Sequence, residues 1–457
     1  MKNWLNKALD TLLFTLPVVV FFTNFPLIRL GENSSMYFEI SLPMIWLAVF
    51  DLLSLTRVKQ IFALCRTHQK ICLPILGLLI YLALSCIWSA NPLRGFLTAG
   101  LVFAIAFALF SIFSVPIPTK QRRCLLVVYL FASSAVSFFC LIQGFLDIFG
   151  IQQSLLCLGC HYQTIGFPHS NGFAIEPQFM GNLLIAPCLI TLDLINKQSK
   201  TKKRKRKLPL LLCLAFLQIL ALFVTFSRGA IFAFMLGVII LTIYRALKKL
   251  DLRAFCYLGI SVFACLSGLL LQGLWAEISP TSEGFLEGIS RSINHLSLGT
   301  IDFLKSIPEN TTIKESTAPQ SDFDGYIEES STIRLSLNEI AIKTWYQNPK
   351  NIIVGVGLGG AGQAMHQYSN INEREIVQNE YISLLLELGI AGCTLVLLAG
   401  FSIFRYSHKK CPPAIVAIFV AYLFTLLFFS GLTNVWHIYL LAPLLIPILE
   451  HQTRMLK

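Results

Sequence analysis

Charge is what this chain most lacks. Asp, Glu, Lys and Arg make up 13% of its 457 residues, about half of the roughly 25% carried by an ordinary soluble domain. So little charge excludes a disordered chain, a coiled coil and a nucleic-acid-binding surface protein. Familiar enzyme signatures are also missing: there is no Walker loop, no HExxH and no GxSxG. No repeat of 20–50 residues is present, which excludes a solenoid. The 13 cysteines do not form a disulfide framework. Most lie within or at the ends of apolar runs, where a cysteine behaves as a small hydrophobe, and the stretch 276–380 has none. Cys157 and Cys160, followed by His161, are the exception. One CxxC and one His are too few ligands for zinc. A local disulfide in an oxidising compartment and two incidental interfacial thiols remain as alternatives.

What the chain has instead is apolar sequence. Hydrophobic residues make up 55% and the mean hydropathy is +0.69. A membrane-spanning helix needs about 20 mostly apolar residues. Twelve runs meet that need, near 9–28, 37–56, 72–91, 94–115, 125–149, 176–195, 208–226, 229–247, 254–275, 381–404, 412–432 and 435–450. The first follows Met1–Lys7 with no small-x-small cleavage site after Pro17, Asn24 and Pro26, so it reads as an uncleaved helix rather than a signal peptide. The expected fold is therefore all-α: a polytopic membrane bundle of about 12 helices, with a large extracytoplasmic helical loop between helices 9 and 10. Three parts follow: membrane helices 1–9 over 1–275, the loop over 276–380, and membrane helices 10–12 over 381–457.

Net charge is +12, and its placement orients the bundle. With both termini in the cytoplasm, 26 of the 36 Lys and Arg fall in cytoplasmic segments, as the positive-inside rule requires. Eight of them crowd the basic loop 197–207. Its run Lys202–Lys207 reads as a topology anchor beside anionic headgroups, not as a nucleic-acid patch.

Three outer segments carry unusual residues. The first, 150–175, is rich in Gly, Pro and Asn, reads as a loop or re-entrant turn, and leads to Glu176 at the start of the sixth run. Glu176 is either an acid complementing the helix dipole or a carboxylate facing an outer cavity. The second is Thr225-Phe-Ser-Arg-Gly-Ala230, a nearly loopless turn. Ser227 is a good N-cap for the eighth run. Arg228 then sits in the first helical turn, where a cation opposes the dipole. Together the helix N-terminus and the guanidinium make an anion site; the plain alternative is an Arg snorkelling to lipid phosphates.

The third segment is 276–380, with 14 acidic and 7 basic residues. Ser331 or Thr332 caps an expected amphipathic helix of about four turns that ends before Pro349. Arg334, Asn338, Ala341 and Trp345 share one of its faces. Gly355-Val-Gly-Leu-Gly-Gly360 follows no βαβ pattern, so it is a turn that needs glycine rather than a dinucleotide fingerprint. The segment closes on Gln378-Asn-Glu-Tyr and runs into Glu387-Leu-Gly-Ile-Ala-Gly392. Glu387 lies about two turns inside a span, where an acid is costly and marks a functional candidate. His169, His295 and His437 read as polar rim residues.

In that order around a large outer loop, the Ser-Arg-Gly turn, the Arg334 helix with its Gly-rich run, and the Gln-Asn-Glu-Tyr entry to the next span resemble the O-antigen ligase and O-antigen polymerase family of bacterial membrane glycosyltransferases, over about 160–392. The resemblance implies an inner-membrane enzyme whose donor is a glycan on undecaprenyl diphosphate. Its acceptor is a glycan, a lipid A core or a protein. Membrane lipids surround it, and it uses no nucleic acid, cofactor or metal. Arg228 and Arg334 match the family's arginines, which would clamp the diphosphate and stabilise the leaving group. Ser227, Glu176, Asn338, Asn379 and His366 are the substrate-binding candidates.

One position departs from the family. Ligases commonly carry a His before the Asn at Asn379, and here that residue is Gln378, which orients a hydroxyl but takes no proton at neutral pH. Glu380, Glu176 and His366 are then alternative bases, unless a loose transition state needs none. A twelve-span transporter or flippase for lipid-linked glycans is the alternative from another class. It predicts half-to-half symmetry, which the sequence lacks. A membrane sensor or scaffold is the third reading.

Overall fold

The computed structural model describes residues 2–23, 27–30, 38–114, 117–149, 151, 169–199, 207–249, 255–280, 284–297, 300–301, 323–373, 375–407, 411–428 and 439–441. Cys157, Cys160, His161, His437 and most of the twelfth run lie outside them. In chain order the helices are α1 (Lys2–Val19), α2 (Leu42–Ser54), α3 (Val58–Thr67), α4 (Gln69–Ser85), α5 (Pro92–Ser114), α6 (Thr119–Ile148), α7 (Pro177–Ser199) and α8 (Leu208–Val224). They continue with α9 (Arg228–Lys249), α10 (Phe255–Ile278), α11 (Phe285–Leu296), α12 (Phe323–Tyr346), α13 (Pro349–Val354), α14 (Ala361–Ser369), α15 (Glu380–Ser407) and α16 (Pro413–Thr425). Two short strands, β1 (Leu27–Leu30) and β2 (Phe38–Ser41), pair antiparallel with Leu27 opposite Ser41. The purely helical expectation is corrected there: the end of the first apolar run and the start of the second pair as strands.

Among the described residues, seven helical stretches are long and apolar enough to cross a membrane: 69–88, 92–114, 119–148, 177–195, 228–247, 255–278 and 380–405. Two more apolar helices, α8 and α16, are shorter. The chain is an all-α membrane protein in its main architecture.

The chain divides into two compact units, Met1–Ala132 with Arg334–Lys457, and Ser133–Ile333. In the first, the Gly-rich run is not a surface turn. Gly389 breaks α15 with φ 61° and ψ −171°, which frees carbonyls that a membrane helix cannot leave unsatisfied. Val356 N–H donates to the Leu386 carbonyl at 2.9 Å, and Gly357 N–H donates to that of Glu387 at 2.9 Å. Tyr81 on α4 donates to the Leu388 carbonyl at 2.7 Å. The segment 355–360 is thereby stitched into the break. On its other side Ala90 N–H donates to the Val356 carbonyl at 3.0 Å, and Ser89 Oγ donates to that of Leu358 at 2.8 Å.

Close approach explains the glycines. A Cβ on Gly355 would lie 2.3 Å from the Glu387 oxygen, and one on Gly357 2.3 Å from the Ser89 Cα. Both residues also have positive φ, 75° and 89°, where a side chain is strained. The expectation of a glycine-requiring turn holds, and the close contacts give its reason.

In the second unit α7, α8, α9, α10 and α11 pack through small residues. A Cβ on Gly181 of α7 would come within 2.7 Å of Ala230 of α9, and one on Gly288 of α11 within 2.5 Å of Ala276 of α10. This is the close backbone approach that drives helix association in lipid. Several buried polar groups are paired within the bundle. Gln218 accepts from Thr191 at 2.9 Å and donates to Ser133 Oγ at 2.8 Å. Asp193 of α7, fully buried, pairs with Arg245 of α9.

Candidate functional site

The second unit holds the Arg228 turn. Ser227 caps α9 through its side chain, accepting from Ala230 N–H at 3.4 Å, and Ile231 N–H donates to the Ser227 carbonyl at 2.9 Å. Arg228 is thus the first residue of α9 and is half-buried. The turn is tight enough to force Phe226, itself buried, to φ 49°. A bulky residue there is a genuine outlier costing on the order of 1–3 kcal/mol, so its surroundings must hold it. Thr225 Oγ1 accepts from Ser227 N–H at 3.4 Å, and His295 Nε2 of α11 donates to the Phe226 carbonyl at 3.2 Å.

His295 sits where the sequence did not place it. It was expected at a polar rim. Instead it is buried at 7% exposure, beside Arg228 and edge-on to His169, with ring centroids 6.4 Å apart. Burial first, and then the Arg228 charge, push its pKa down to about 4, against a weaker opposing pull from the Phe226 carbonyl. His295 is therefore neutral at physiological pH. No local pattern could have revealed this, because 69 residues separate His295 from Phe226.

The segment 170–174 is buried against α6 in the same unit. Gly172 N–H donates to Gln143 Oε1 at 2.8 Å, Gln143 Nε2 donates to Asn171 at 2.7 Å, and Ser170 Oγ donates to the Cys140 carbonyl at 2.8 Å. Glu176 follows, with an exposed side chain and a carbonyl that accepts from Phe179 N–H at 3.1 Å. It marks the start of α7.

The remaining candidates lie in the first unit. The helix bearing Arg334 begins at Phe323 rather than at a cap on Ser331 or Thr332. It is longer than expected because no proline intervenes between Phe323 and Ser331, and Gly325 alone does not stop it. Its inward face holds Leu337, Ala341 and Thr344, all buried, flanked by half-buried Arg334, Asn338 and Trp345. Asn338 Oδ1 is buried and accepts no hydrogen bond among the described residues.

Asn379 caps α15, its Oδ1 accepting from Tyr381 N–H at 3.0 Å and Ile382 N–H at 3.2 Å. Half-buried Gln378 precedes it, and buried Glu380 opens the helix. Glu380 N–H donates to the Leu426 carbonyl at 2.9 Å. His366 lies on α14, with Nδ1 donating to the Ile371 carbonyl and its own carbonyl accepting from Asn370 N–H at 2.8 Å. Its first nitrogen thus holds the end of α14. Glu387 turns its carboxylate to the Gly359 and Ala361 N–H groups, with Arg94 as the nearby cation. It fastens the Gly-rich run to α15. Among the described residues, no three His, Cys, Asp or Glu side chains converge as a metal-ligand set.

Residues 213–397, which include both arginines, match the family described as O-antigen ligase. No curated protein matches the chain. The family match, with seven helical stretches among the described residues long and apolar enough to cross a membrane, supports a multi-pass membrane protein of the glycan ligase or polymerase class. Lipid-linked glycans and their acceptors are the substrates this class implies.

Proposed function

We propose that the chain crosses the bacterial inner membrane about twelve times with both termini in the cytoplasm, and transfers or polymerises glycan from an undecaprenyl-diphosphate donor on the extracytoplasmic side. In this reading 276–380 is the extracytoplasmic part, between membrane portions 1–275 and 381–457. The observation that carries it is the Arg228 turn. A guanidinium at a helix N-terminus, beside an imidazole kept neutral, is suited to a diphosphate.

The reaction is an inverting displacement. An acceptor hydroxyl oxygen forms a bond to the anomeric carbon as the bond from that carbon to the phosphate oxygen breaks. The hydroxyl proton leaves, and undecaprenyl diphosphate departs with the electron pair. No nucleotide is needed, because the donor's own glycosyl phosphate bond supplies the driving force. Charge grows on the departing diphosphate, so fixed cations there stabilise the transition state more than the ground state. Arg228 is assigned to it, and Arg334 is the second cation assigned to the donor phosphates. Gln378 is assigned to orienting the acceptor hydroxyl. Glu380, buried at the start of α15, is the candidate for accepting its proton.

The test is transfer by purified protein in lipid with a synthetic donor. Wild type should lengthen or ligate glycan, and Arg228→Ala should lose it while still inserting. Product from Arg228→Ala at the wild-type rate would refute the reading, as would donor moved across the bilayer without bond formation.

A further inference from the structure

The first unit contains a cavity of about 320 Å³ that none of the assignments above uses. Its walls are Trp88 and Ala90 just after α4, the C-terminal end of α12, the start of α13, Val356 of the Gly-rich run, and α14. The volume lies at the low end of the range for small-molecule sites, enough for a single ring rather than a lipid chain.

The lining is unusual for a chain this apolar. Gln347, Gln367, Lys350, Tyr368 and Trp88 line the cavity, and no acidic residue does. Neighbouring Asn348 is committed to capping α13, accepting from Asn351 N–H at 2.9 Å. The Gln347 and Gln367 side chains make no hydrogen bond among the described residues. Trp88 Nε1 is buried and has no partner among the described residues, which leaves a desolvated donor open, a costly state unless something fills it. Amides both donate and accept, as do sugar hydroxyls. An indole and a phenol add apolar faces with polar edges. The one ammonium favours an acidic ring over a basic one.

We propose that this cavity is a subsite for one sugar ring of the glycan, with Lys350 conferring preference for a ring bearing a carboxylate. The proposal rests on the glycan-transfer reading. Thr344, on the cavity wall, lies ten residues beyond Arg334 on α12, about 15 Å along the axis at 1.5 Å per residue. If Arg334 meets the donor phosphates, the ring held here is a distal unit of the chain and not the one that reacts. Binding such a remote unit positions the chain for reaction.

The experiment is saturation-transfer NMR on the full chain in nanodiscs, with methyl β-glucuronide and methyl β-glucoside as probes. Wild type should show transfer to the glucuronide, stronger than to the glucoside. Gln347→Ala with Gln367→Ala, both at exposed positions, should cut the signal at least fivefold. Lys350→Met should abolish the preference between the two sugars. If the double variant fails to fold, Lys350→Met alone decides through that preference. No transfer in wild type, an unchanged signal in the double variant, an unchanged preference in Lys350→Met, or displacement by equimolar inorganic phosphate each overturns the subsite. Wild type that binds glucuronide but makes no glycan product would sink the transfer reading alone. Wild type that makes product without saturation transfer would sink the subsite alone.

Discussion

At the scale of single residues, the Arg228 turn is where the proposed chemistry and the strain at Phe226 coincide. Replacing a fixed donor at a developing anion typically costs about 100- to 1,000-fold in rate, and a loss of that size is expected for Arg228→Ala in a transfer assay. Arg228→Lys should recover only part of it, since an ammonium does not offer the planar fork that binds phosphate oxygens bidentately. Arg334→Ala should likewise lose product without losing insertion. Ser227→Ala removes the α9 cap and should cost about 1 kcal/mol of stability, read as a lower melting temperature.

His295 adds a dependence on pH. Its pKa in the fold, about 4, lies below the roughly 6.5 of an unfolded histidine. The unfolded chain therefore binds more protons between those values, and stability is present above about pH 6.5 and falls as pH drops toward 4. The melting temperature of wild type should decline through that window, and His295→Asn should flatten the decline. An equal decline in both proteins would show that His295 is not the group responsible. Much at this scale was legible beforehand: Ser227 as the cap, Arg228 in the first helical turn, the shared face of Arg334 and Asn338. The role of His295 was not, because it depends on α11 packing against α10 through Gly288 and Gly273, a tertiary contact with no local sequence mark.

Among the structural elements, the Gly-rich run and the broken helix α15 form one device. The break at Gly389 frees carbonyls, and the 355–361 segment satisfies them while the Glu387 carboxylate grips its N–H groups. Gly357→Ala places a Cβ 2.3 Å from the Ser89 Cα at a φ of 89°. The expected cost is more than 1–3 kcal/mol, visible as lowered expression and melting temperature. Gly400→Ala, which meets nothing within 4 Å, should be tolerated in the same measurements. The sequence showed that glycine was needed at 355–360 and that Glu387 was out of place in an apolar helix. It did not show that the two observations had one cause, because the break in α15 becomes necessary only when the run is packed against it. The length of α12 was also misjudged, since Ser331 and Thr332 are good caps in isolation and a helix passes through them when no breaker stops it.

For the whole molecule, hydropathy and charge fix more than any motif does. Sparse charge and long apolar runs led directly to an all-α membrane protein, and seven stretches among the described residues are long enough to span. The strand pair escaped because Leu27-Ile-Arg-Leu and Phe38-Glu-Ile-Ser are too short to tell from the ends of apolar helices. The proposed orientation makes its own prediction. Reporters fused after Lys207 should read as cytoplasmic, and those fused within 284–297 as extracytoplasmic. The opposite pattern would remove the extracytoplasmic assignment of Arg228 and with it the access to lipid-linked glycan.

The central claim is that Arg228, at the start of α9, holds the diphosphate of the lipid donor. Its most direct test is the affinity of the purified protein in nanodiscs for undecaprenyl diphosphate, wild type against Arg228→Ala. A loss of at least tenfold is predicted, about 1.4 kcal/mol, with an unchanged melting profile showing that the fold is intact. Equal affinity in the two proteins would contradict the account.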